Sequence, residues 1–113
     1  METINTIKGE ITILNDKSIV ISDSNSFLDM IASITTGTFA IVKENFPESF
    51  YDLKTGIAGE ILQKVSNYNL RLIIIGNFDH IESKSLKDFI YECNKNGKII
   101  FADDLDKAVS LLK

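Results

Sequence analysis

The chain is 113 residues long, 44% hydrophobic and 25% charged, which is the size and balance of one folded domain. Its 12 basic and 16 acidic side chains leave a net charge of −4, which argues against nucleic acid or an anionic membrane surface as main partner, since both reward clustered Lys and Arg. A single cysteine excludes an intrachain disulfide. No apolar run approaches the roughly 20 residues of a membrane span, and the opening Met-Glu-Thr-Ile-Asn lacks the basic and apolar regions of a signal peptide. The expectation is one cytoplasmic domain over residues 1–113.

The first third reads as β. A β-tolerant stretch over residues 3–8 meets Gly9, and Ile11, Thr12, Ile13 and Leu14 follow up to the turn dipeptide Asn15-Asp16. The run Ser18-Ile19-Val20-Ile21-Ser22 offers a third short strand. Ser24, Asn25 and Ser26 are candidate N-caps, with Ser26 and Asp29 as a weak capping pair. Phe27, Met30, Ile31 and Ile34 then repeat at i, i+3, i+4 and i+7, predicting a helix that ends near Gly37.

Phe39-Ala40-Ile41-Val42 is a continuous apolar run, suited to a strand covered on both faces. Lys43 to Phe50 is irregular, with the only proline at Pro47. Ile57, Ile61, Leu62, Val65 and Tyr68 carry the next helical stripe. Leu70, Leu72, Ile73, Ile74 and Ile75 make the strongest strand signal in the chain, closed by Gly76-Asn77. A helix capped by Ser83 or Ser85 follows, with Leu86, Phe89, Ile90 and Cys93 as its stripe and Asn96-Gly97 as its stop. Lys98 to Ala102 is a strand. Asp103 or Asp104 caps a last helix with Leu105, Ala108, Val109 and Leu112 inward. The order is β-β-(β)-α-β-α-β-α-β-α, an α/β fold with a mixed, mostly parallel sheet.

The run Phe50-Tyr51-Asp52-Leu53-Lys54-Thr55-Gly56-Ile57-Ala58-Gly59-Glu60-Ile61-Leu62-Gln63-Lys64 resembles the signature of an uncharacterised bacterial family, domain of unknown function 4180. Ile74 to Phe78 and Ser83 to Glu92 resemble its later blocks. That resemblance covers nearly the whole chain and implies no activity. More distantly, the element order and the junction ending in Thr55-Gly56-Ile57 are similar to STAS domains, the fold of anti-sigma-factor antagonists. There the junction reads Asp-Ser-Ser/Thr-Gly-Leu, and the Ser after the Asp takes a regulatory phosphate. Aligning Thr55-Gly56 on that pattern puts Leu53 on the Asp and Lys54 on the phosphorylated Ser, so the only nearby hydroxyl is that of Thr55.

Ligands of α/β sheets gather at the carboxyl ends of strands, beside helix N-termini with free N–H groups. The expected site is therefore Tyr51, Asp52, Lys54, Thr55 and Gly56, at a strand–helix junction. Its functional reading is a non-enzymatic STAS-like regulatory or interaction module that docks a protein partner or a small anion there, along the helix Ile57–Tyr68. Its plainer reading is a helix capped by Thr55 or Asp52 beside a solvated Lys54. A second functional reading is a small hydrolase or transferase using Asp52, Lys54 and Thr55. A third is a homodimer or larger homo-oligomer assembled through the same loop.

Elsewhere the plainer readings lead. Phe46, Phe50 and Tyr51 are expected to fold inward rather than line a pocket. His80 reads as a surface histidine, because neither a second His nor a Cys-x-x-Cys accompanies it. Cys93 reads as a buried thiol, and Asp103, Asp104 and Asp106 as capping residues. No glycine-rich phosphate loop occurs, and no metal or cofactor is expected.

Overall fold

The computed structural model describes residues 1–113. Strands β1 (Glu2–Thr6) and β2 (Gly9–Ile13) form a hairpin in which Thr6 pairs with Gly9 and Glu2 with Ile13. The chain then enters helix α1 (Ser24–Ile31), strand β3 (Thr38–Val42), the short helix α2 (Glu48–Tyr51) and helix α3 (Ile57–Asn67). Strand β4 (Arg71–Ile75), helix α4 (Lys84–Asn96), strand β5 (Ile99–Ala102) and helix α5 (Leu105–Leu111) complete it. No helix is long and apolar enough to cross a membrane.

The five strands lie in sequence order, with β1 antiparallel to β2 and all later pairs parallel. The sheet is thus mixed and mostly parallel. Each crossover moves one place in the same direction, so right-handed connections put α1, α3 and α4 on one face. We call this the front. Phe39, Ile41, Leu72, Ile74, Ile99 and Phe101 point there and meet Phe27 of α1, Ala58, Ile61 and Val65 of α3, and Cys93 of α4. Ile11, Ala40, Ile73 and Ile100 point to the back and pack on Ala108, Val109 and Leu112. The alternation of Leu72, Ile73 and Ile74 between the two clusters explains why β4 is apolar at every position after Arg71.

Two polar side chains clasp the assembly. Asn45 is fully buried. Its Nδ2 donates to the carbonyls of Asp16 (3.0 Å) and Ile19 (2.8 Å), and its Oδ1 accepts from the Val42 amide at 3.0 Å. At the opposite end, Arg71 donates to Thr38 Oγ1 (2.9 Å), the Lys8 carbonyl (2.7 Å) and the Lys113 carbonyl (3.1 Å). It joins β3, β4, the hairpin turn and the segment after α5.

Several sequence expectations are corrected. Ser18 to Ser22 is not a strand. The Ile21 amide donates to the Asn45 carbonyl at 2.6 Å, and Ile21 is buried as a plug over the front core. The cap of α1 is Asp23, whose carboxylate accepts from the Ser26 amide and hydroxyl, both at 2.8 Å, in place of a Ser26–Asp29 pair. That helix stops at Ile31, well before Gly37, although Ile34 still packs on the core. Of the paired alternatives, Ser83 caps α4 and Asp104 caps α5, each accepting from an amide three residues on.

Candidate functional site

The expected junction is not a direct passage from strand to helix. Between β3 and α3 lie a 3-10 turn (Lys43–Asn45), α2 and a second 3-10 turn (Leu53–Thr55). Pro47 opens α2, and Phe46 and Phe50 stack at 3.9 Å between ring centroids, nearly parallel. Both are buried, as expected for loop aromatics that cover a core. This pair sets the path by which the chain reaches Asp52.

The corner that follows is exposed at Asp52, Lys54, Thr55 and Gly56. Its carboxylate and hydroxyl are engaged internally. Asp52 Oδ1 accepts from the Lys54 amide at 3.2 Å. The Thr55 hydroxyl lies 2.7 Å from the Ser49 carbonyl and 2.9 Å from that of Asp52, and it accepts from the Ile57 amide at 3.3 Å. Gly56 takes φ 79°, a left-handed geometry that a side chain would strain, and from it α3 begins. Asp52 therefore caps the 3-10 turn, and α3 itself has no side-chain cap in the first position. Glu60 sits in the first turn of α3, where its charge complements the positive helix end.

Tyr51 parts from its neighbours. Its hydroxyl donates to the Lys43 carbonyl at 2.7 Å, and its ring meets Phe50 edge-on at 4.9 Å and Phe78 at 6.2 Å. Burial, with the Glu44 carboxylate nearby, pushes its phenol well above the usual range. Tyr51, Lys43, Glu48, Phe78, Ile81 and Leu86 surround a cavity of about 220 Å³. Phe78 and Ile81 also border a neighbouring cleft of about 300 Å³ over the carboxyl ends of β4 and β5. Its charged lining is Asp79, Lys87, Asp103 and Lys107, with Phe101 at its base.

Sequence reasoning missed this cleft. Gly76 lies on its wall, and a Cβ there would stand 2.6 Å from the Cβ of Lys43. Lys43 crosses at that point. Its ammonium donates to the Asn77 carbonyl at 2.9 Å and lies 5.1 Å from the Phe78 ring centroid. The available signal was Gly76-Asn77-Phe78 immediately after the most apolar strand, where an α/β sheet turns its carboxyl edge to solvent. Of the expected residues, only Tyr51 touches either concavity, and it lines the smaller cavity rather than the cleft. Asp52, Lys54, Thr55 and Gly56 line neither cavity.

The remaining candidates keep their plainer roles. His80 is exposed in the loop after β4. Cys93 is buried, and burial, helped by Glu92, pushes its thiol up to about 11. Asp103 pairs with Lys107 at 2.9 Å on the rim of the cleft, which lowers the carboxyl and raises the ammonium.

A family model described as a domain of unknown function, DUF4180, matches residues 7–112. The chain belongs to this family. No curated protein and no solved structure matches it. The DUF4180 match takes in both the Asp52–Gly56 corner and the whole carboxyl-edge cleft, and begins just after β1.

Proposed function

We propose that the chain is a non-enzymatic, STAS-like regulatory module that docks a protein partner at the corner Tyr51–Gly56 and along the adjoining surface of α3. The observation that carries this reading is the bracing of an exposed corner. Asp52, Lys54, Thr55 and Gly56 face solvent, yet the carboxylate and hydroxyl hold the backbone rather than point at a reactant. A surface already fixed in shape loses little entropy when a partner binds. The same bonds count against a hydrolase or transferase. A nucleophilic Thr55 needs a base within reach to take its proton, and the hydroxyl's hydrogen-bond partners are the carbonyls of Ser49 and Asp52 and the amide of Ile57, none of them a base.

Charge favours a protein over a small anion. From Asp52 to Glu60 the corner and first turn of α3 carry two carboxylates, Asp52 and Glu60, against the one ammonium of Lys54, and in the cleft Asp79 and Asp103 balance Lys87 and Lys107. Neither place accumulates the positive charge that a free anion needs.

Capture experiments with tagged wild type, Lys54→Glu and Lys17→Glu test the reading. Both lysines are exposed, and Lys17 lies in the separate segment after β2. A protein retained by wild type and Lys17→Glu but lost with Lys54→Glu is the expected outcome. Identical capture by all three overturns the assignment.

A further inference from the structure

The two outer edges of the sheet are unlike. On β5, the side-chain amide of Asn94 occupies the free edge. Its Oδ1 accepts from the Phe101 amide at 2.8 Å and its Nδ2 donates to the Phe101 carbonyl at 3.1 Å, in the manner of another strand. On β1, no such plug exists. Glu2–Thr6 pairs with β2 along its whole length without a bulge. It contains no proline or lysine, the residues that usually protect such an edge.

The hairpin closes at Thr6 and Gly9 around the two residues Ile7 and Lys8. In that geometry Glu2, Ile4 and Thr6 bond to β2, while the amides and carbonyls of Thr3 and Asn5 point away from it. Beside this edge, Ile4 and Ile7 stand with Leu105 and Val109 around a cavity of about 390 Å³ on the back face. Ile7 is 90% exposed and Met1 54%.

We propose that β1 is a self-association edge, on which a second copy of this chain adds its own β1 antiparallel. The strand is complementary to itself about a two-fold axis at Ile4. Thr3 of each copy then faces Asn5 of the other, so the outward-pointing groups of both chains satisfy one another. Ile4 faces Ile4 across the axis and extends the apolar back face. Glu2 faces Thr6, which keeps the two carboxylates apart at opposite ends of the seam. Met1 and Ile7 come together at each end, covering two of the most exposed apolar side chains. Two five-stranded sheets become one continuous sheet. The corner Tyr51–Gly56 lies outside this seam, so the inference is independent of the proposed function.

Sedimentation equilibrium on the full chain tests it, with Asn5→Pro and Ile7→Glu as variants. Proline at an outward-facing amide leaves the bonds to β2 in place, and Ile7 is an exposed turn residue, so circular dichroism should be unchanged in both. Wild type is expected to be dimeric, and each variant to raise the dimer dissociation constant at least about tenfold. Monomeric wild type throughout the micromolar range overturns the proposal. So does a dimer that survives both substitutions, or one that dissociates on Lys54→Glu instead.

Discussion

Phe39, Ile41, Leu72, Ile74, Ile99 and Phe101 meet three crossover helices on the front of the sheet, whereas Ile11, Ala40, Ile73 and Ile100 meet the seven-residue α5 on the back. Sequential strand order causes the asymmetry. With every crossover advancing in one direction, the chain never reverses over the sheet, and no switch-point crevice forms of the sort that holds ligands in doubly wound folds. The cleft over the carboxyl ends of β4 and β5 is lined in part by loops, and the corner proposed for docking belongs to the front. The back is closed by one helix and latched at the amino end by Arg71.

If the front depends on a buried polar clasp, Asn45→Leu should be the most damaging single substitution on that face. It removes the side-chain partner of the Val42 amide and of the Ile19 carbonyl, and one of two donors to the Asp16 carbonyl, and each buried unpaired group costs about 1–3 kcal/mol. Allowing for partial rescue by water, urea unfolding should show a loss of about 3–5 kcal/mol. A loss near zero would mean that Asp16–Ser22 contributes nothing to the front, and the contrast between the faces would weaken accordingly.

Ile73 and Ile74 offer a sharper test because they are adjacent, chemically identical and fully buried, yet face opposite ways. Truncation to alanine should cost about 2–5 kcal/mol at either position, with the value set by how far the surroundings can settle into the void. Ile74 is surrounded by side chains from interlocked helices, whereas Ile73 faces a single short helix that can shift. Ile74→Ala should therefore destabilise more than Ile73→Ala in the same urea series. The opposite ranking would show that the back is the more rigid face.

The strands and most helices were legible because their causes are local. The apolar run at Leu70 to Ile75, the 3.6-residue stripes and the Asn96-Gly97 stop each carry their own signal. Ser18 to Ser22 misled for the complementary reason. Its β-branched pattern is real, but its amide partner is a carbonyl more than twenty residues away in sequence, at Asn45. Nothing in the residues around Asn45 or Arg71 marks either as a clasp, since each acts on segments that only the fold brings near. The candidate site divides in the same way. The exposed corner was readable from Thr55-Gly56 preceding a helical stripe. The cleft was not, because it forms only where Gly76 and Phe78 after β4 meet Lys87 of α4, Phe101 of β5 and Lys107 of α5.

The smallest expected effect is a pH dependence that reports on the α4 side of the front. Burial is the main cause of the raised Cys93 thiol, with Glu92 second, and the shift runs from 9.0 up to about 11. The folded state therefore holds this proton more tightly than the unfolded chain does. Its contribution to stability is fully present below pH 9 and disappears as the pH rises through about 11. Wild type should lose stability relative to Cys93→Ala across that interval, while the difference between them stays flat from pH 6 to 8, as read from urea midpoints at matched ionic strength. The alanine variant carries a constant cavity penalty, so only the slope is diagnostic. A flat difference through pH 11 would place water at the thiol and show that α4 opens from the sheet, making this part of the front as loosely closed as the back.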